Sequence, residues 1–108
     1  MSAEHNSTLL LRGGTVIDGT GAPRFVADVR IEGERISAIG AQLPTQGAEV
    51  IDVAGKIVAP GFIDVHTHDD QIVLAAPQML PKISQGVTTV VIGNCGISLA
   101  PLVHGFLH

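Results

Sequence analysis

Three residues of this sequence have the types and spacing to do chemistry: His66, His68 and Cys95. In an extended strand successive side chains alternate faces, so His66 and His68 point to one side with Thr67 opposite. Two imidazoles so placed at a strand end can hold one metal ion, and imidazole suits zinc and its first-row neighbours. Cys95 is the only cysteine. A lone cysteine is most often a small buried residue, but Gly93 and Gly96 flank this one, letting the backbone turn sharply and approach a ligand. The chemistry of such a set is metal-assisted hydrolysis. Asp64 alternates onto the histidine face and can accept a hydrogen bond from an imidazole. Asp69 and Asp70 follow His68. They are open as ligands or substrate contacts, with a solvated or helix-capping pair favoured. Asn94 and Ser98 fit substrate contact and turn chemistry equally well.

The elements that must position these residues follow from periodicity. Residues 1–7 read as a disordered lead-in. Leu9 to Ile17 reads as a strand broken at Gly13-Gly14, followed by a dense turn signal from Asp18 to Pro23. Ala27 to Glu32 alternates, with Val29 and Ile31 on one face and Asp28, Arg30 and Glu32 on the other. Gly33-Glu34 suits a tight turn into a second strand, Arg35 to Ile39. Val50 to Val53 and Lys56 to Ala59 read as another antiparallel pair around Ala54-Gly55. Residues 8–60 are thus expected to form a small β domain, sandwich-like and antiparallel.

The pattern changes at Pro60-Gly61. Phe62 to Val65 is a short apolar run, as expected of a strand covered on both faces. Val87 to Ile92 is a β-branched strand. Between them Pro81 suits the first position of a short helix and Gly86 the position beyond its end. Strand, helix and strand make a βαβ unit with a connection long enough for a parallel crossover. In such units active sites form at the carboxyl ends of the strands. His66 and His68 follow the first strand and Cys95 the second, so the three are expected to converge.

Bulk properties narrow the classes. The chain has 108 residues, 45% of them apolar and only 3% aromatic, so its core must rest on Val, Ile, Leu and Ala. A formal charge of −4 argues against non-specific nucleic-acid binding. The single cysteine excludes an internal disulfide and fits a reducing compartment. Leu9-Leu10-Leu11 is too short for a signal or membrane segment, which points to a cytoplasmic protein without membrane association. Neither a P-loop nor a dinucleotide fingerprint is present. Oligomeric state is left open.

Gly61-Phe62-Ile63-Asp64-Val65-His66-Thr67-His68 resembles the first barrel strand of the amidohydrolase superfamily. Lys56 to Pro60 and the opening Gly13 to Gly19 fit it as well. Pro81 to Val91, followed by Gly93-Asn94-Cys95-Gly96-Ile97-Ser98, resembles the N-acyl-D-amino-acid deacylases, the D-aminoacylase branch. The resemblance runs from about Leu9 to Pro101. It implies a (β/α)₈ barrel beside a small β domain, and an α/β fold class overall. It implies a zinc-dependent hydrolase, with one or two divalent ions, that deacylates a small-molecule N-acyl-D-amino acid. His66 and His68 match one metal site, and Cys95 matches the cysteine that ligates zinc and can bridge two sites. The family's further histidines and catalytic aspartate have no counterpart among these residues. Such a barrel needs roughly 250 residues. Residues 61–108 therefore read as its start, and the chain as an N-terminal fragment, inactive alone. Two alternatives stand beside this reading. One is a cyclic amidohydrolase of the hydantoinase or dihydroorotase type, which typically bridges its metals with a carboxylated lysine rather than a cysteine. The other is a non-catalytic remnant of the fold.

Overall fold

The computed structural model describes residues 7–96, which divide between Pro60 and Gly61 into two units. His5, Ser98, His104 and His108 lie outside the described residues, as does nearly all of the lead-in.

In the first unit, strand β1 (Thr8–Val16) is central. Strand β2 (Phe25–Glu32) runs antiparallel to it, and β3 (Arg35–Gly40) antiparallel to β2. Gly33, at φ +61°, takes the first central position of the two-residue β2–β3 turn, a conformation that L side chains resist. The Gly13-Gly14 pair does not break β1. It forms a bulge between Leu11 and Gly14, which resets the alternation so that Leu11, Gly14 and Val16 share one face. That face carries the main apolar cluster: Val16, Ala27 and Val29 are buried, with Leu11, Ile31 and Val58 packed against them, while Leu10, fully buried, lies on the other face with Arg30.

Strands β4 (Glu49–Asp52) and β5 (Ile57–Val58) depart from the expected antiparallel pair. Both run parallel to β1, end to end along its free edge. The Val53 amide donates to the Arg12 carbonyl, and the Thr15 amide donates to Lys56. The turn at Val53–Lys56 therefore steps past the bulge without reversing the chain. Among the described residues this unit is one mixed five-stranded sheet, not a sandwich. Alternation assigns faces but not partners, and parallel pairing to β1 leaves the same face pattern.

The opposite face of β2 is not solvated either. Asp28 is only 6% exposed. Its two carboxylate oxygens accept the Gly13 amide of the bulge at 2.9 Å and the Leu43 amide at 3.1 Å. Arg30 donates to the carbonyls of Pro44 and Gln46. The loop after β3 thus covers a face that alternation assigns to water.

In the second unit, β6 (Phe62–Asp64) pairs in parallel with β7 (Val87–Val90). The crossover holds two short helices, α1 (Asp70–Ala75) and α2 (Leu80–Ile83), where one was expected. Pro77 separates them, since the residue before a proline is driven out of helical conformation; Ala76 sits at φ −140°, ψ 76°. Gly61 has a steric reason. A Cβ there would lie 2.0 Å from Thr88 Oγ1 and 2.7 Å from Thr88 Cβ. Phe62, Ile63 and Val65 are exposed, not covered on both faces, because this pair of strands has too few neighbouring elements to bury them. No helix among the described residues is long and apolar enough to cross a membrane.

Candidate metal centre

The last ladder residues of β6 and β7 are Asp64 and Val90, and the candidate ligands follow each. The Val91 amide donates to the Asp64 carbonyl at 2.8 Å, carrying the pairing one step past the ladder. Thr67 is 4% exposed, and its hydroxyl donates to the Val91 carbonyl at 3.1 Å. With Thr67 turned inward, His66 and His68 are left on the other side, their ring centroids 6.0 Å apart.

Cys95 comes from a tight turn. The Gly96 amide donates to the Gly93 carbonyl at 3.0 Å, which makes Asn94 and Cys95 the two central residues of a β-turn. Gly93 and Gly96 have φ of +79° and +80°, values that favour glycine. The Asn94 side chain donates to the Val65 carbonyl at 2.9 Å. Cys95 Sγ thereby touches His66 Nε2. One ligand atom from each of His66, His68 and Cys95 lies within 4.8 Å of the other two, and all three residues are exposed. Zinc ligands stand about 2.0–2.3 Å from their ion. Movements on the order of 1 Å, within reach of exposed side chains, would bring these three onto one centre. Two imidazoles and a thiolate are a donor set that zinc favours.

The carboxylates are placed around this group, not in it. Asp64 does not meet a histidine ring. Its Oδ1 accepts the His66 backbone amide at 3.3 Å and its Oδ2 accepts Lys82 Nζ at 2.7 Å. The hydrogen bond from Lys82, then that from the His66 amide, holds the Asp64 carboxyl below the usual carboxylate range. Lys82, hydrogen-bonded to Asp64 and ion-paired with Asp69, is raised above the usual lysine value. A depressed carboxylate and a raised ammonium keep this contact charged throughout the neutral range. Asp69 occupies the N-cap position of α1 but makes no side-chain cap; its Oδ2 is 3.2 Å from Lys82 Nζ. Asp70 opens the helix itself. Sequence reasoning missed Lys82. The available signal was chemical: two carboxylates bracketing a histidine pair call for a cation.

With this geometry in place, comparison identifies the class. The profile of the Amidohydrolase family matches residues 49–106, more than half of the chain, and the chain belongs to that family. Within it, the chain is similar to D-aminoacylase of Alcaligenes xylosoxydans xylosoxydans, 59% identical over 96 residues that make up 89% of this chain and 20% of that protein. A solved D-aminoacylase, studied for its binuclear metal centre, superposes with a TM-score of 0.80 at 64% identity, over 89% of this chain and 20% of its own. N-acyl-D-glutamate deacylase from Bordetella bronchiseptica, solved with zinc and a phosphonate inhibitor, gives 0.75 at 50% identity over 86% of this chain and 20% of its own. The chain thus spans about a fifth of the length of the relatives it matches.

Proposed function

We propose that these residues open the active site of a zinc-dependent amide hydrolase that removes the acyl group from N-acyl-D-amino acids. The observation that carries this is the convergence of His66, His68 and Cys95 past the ends of two adjacent parallel strands. His66 and His68 would each give a ring nitrogen, and Cys95 its sulfur. A divalent ion held there lowers the pKa of its water and polarises a carbonyl, the chemistry that amide hydrolysis needs. Thr67 and Asn94 lock the two strand ends together so that the three donors face one point. The similarity to D-aminoacylase and N-acyl-D-glutamate deacylase supports the substrate class. The remaining ligands and the general base would come from later strands of a (β/α)₈ barrel, which would also cover Phe62, Ile63 and Val65. A reduced Cys95 thiol suits a cytoplasmic setting.

The cyclic amidohydrolase alternative leaves Cys95 without a task, since a carboxylated lysine does the bridging in that branch. The test uses the full-length protein, assayed for zinc content and for hydrolysis of one N-acyl-D-amino acid and one cyclic imide. His66→Asn and Cys95→Ala are expected to lose zinc and deacylation together. Unchanged zinc stoichiometry in both variants would sink the ligand assignment. Turnover of the imide alone would favour the cyclic branch, and no turnover of either, the non-catalytic remnant.

A further inference from the structure

The segment that holds the two histidines is gripped at both ends by one side chain from a different element. Asp64 stands two residues before His66 and Asp69 immediately after His68. Lys82 Nζ, presented by α2, is 2.7 Å from Asp64 Oδ2 and 3.2 Å from Asp69 Oδ2. Asp64 turns its other oxygen to the backbone amide of His66. We propose that Lys82 is a positioning residue for the metal centre: through these two carboxylates it fixes the course of residues 64–69 and hence the aim of His66 and His68. The proposal rests on the reading of His66, His68 and Cys95 as zinc ligands.

Three observations separate this from an ordinary surface ion pair, which contributes little. All three side chains are partly or largely shielded, Asp69 most of all at 17% exposed. Asp69 Oδ2 itself is buried and makes no directed hydrogen bond, so the Lys82 charge is its compensation; a buried charge without a partner is costly. The cation also comes from a separate element: α2 presents Lys82 beside a cavity of about 310 Å³ that Val73, Met79, Ile83 and Val87 line with it. Without Lys82 the two carboxylates repel each other, and the buried Asp69 oxygen has reason to swing out. Either movement shifts a histidine. Groups that orient metal ligands typically change metal affinity by about 10–100-fold when removed.

The test measures zinc affinity of the full-length protein by competition with a chelator, independent of turnover. Lys82→Met is expected to weaken zinc binding about 10-fold or more, and Lys82→Arg to restore it to within about threefold. In an Asp64→Asn, Asp69→Asn background, Lys82→Met should add less than about twofold, because its levers are gone. Unchanged affinity in Lys82→Met, or the same loss in the double-Asn background, overturns the proposal. If Lys82→Met does not fold, Asp69→Asn alone decides: a loss of about threefold or more supports it, and wild-type affinity overturns it. His66→Asn and Cys95→Ala are measured alongside. If they too bind zinc as tightly as the wild type, the ligand reading has failed, and the positioning role falls with it.

Discussion

The side-chain amide of Asn94 donates to the backbone carbonyl of Val65 at 2.9 Å, tying the turn that carries Cys95 to the residue that precedes His66. Thr67 makes the reciprocal bond, from the β6 end to the Val91 carbonyl beyond β7. The two strand ends are thus latched from both sides. Asn94 is exposed, so Asn94→Ala should leave the fold intact while loosening Cys95 against His66. The expected outcome is zinc binding weakened on the order of tenfold with unchanged circular dichroism. Wild-type zinc affinity in this variant would show that the glycine-flanked turn holds Cys95 unaided.

Gly61→Ala tests the close packing under the site. Its Cβ would meet Thr88 Oγ1 at 2.0 Å, Cγ2 at 2.4 Å and Cβ at 2.7 Å. The strand must shift, at about 1–3 kcal/mol, measured as loss of thermal or denaturant stability in the full-length protein. Thr88→Ala removes the two nearer atoms but leaves the third, so it should rescue Gly61→Ala in part. Simple additivity of the two substitutions would argue against a direct clash.

Asp28 makes the third prediction. Its carboxylate takes the bulge amide of Gly13 and the loop amide of Leu43. Asp28→Ala leaves both amides without that acceptor and should cost about 2–4 kcal/mol, since a hydrogen bond to a charged group contributes about 1.5–3 kcal/mol. Asp28→Asn keeps one acceptor oxygen and should cost about half as much. Equal losses in denaturant unfolding would mean that charge, not acceptor number, sets the effect.

How far each feature could be read in advance depended on the range of the interaction behind it. The β2–β3 hairpin rests on alternation and on Gly33, both local, and it was legible. His66 and His68 do come together, but past the end of β6 and with a bend at His66, so strand alternation is not what brings them there. The parallel pairing of β4 and β5 to β1 was not legible, because a strand's pattern carries its faces and not its neighbour. Alternation places Asp28 opposite Val29 and Ile31 but does not show that the loop folding back at Leu43 makes it an internal acceptor. Lys82 lies 18 residues from Asp64, and nothing in its own neighbourhood marks it as the partner of two carboxylates.

Removing the metal should expose the centre's contribution to the fold. A ligand that binds only the native state stabilises it by about 2.7 kcal/mol when present at 100 times its dissociation constant. His66 and Cys95 are 29 residues apart, so an ion held by both closes that loop and stiffens the latch made by Asn94 and Thr67. The full-length protein should therefore melt at a higher temperature with zinc than after chelation. His66→Asn and Cys95→Ala should lose most of that increment, and each apo variant should melt close to the apo wild type. The same zinc-dependent rise in both variants would place the stabilising ion on other residues. No rise in the wild type would remove these three side chains from the list of strong zinc ligands.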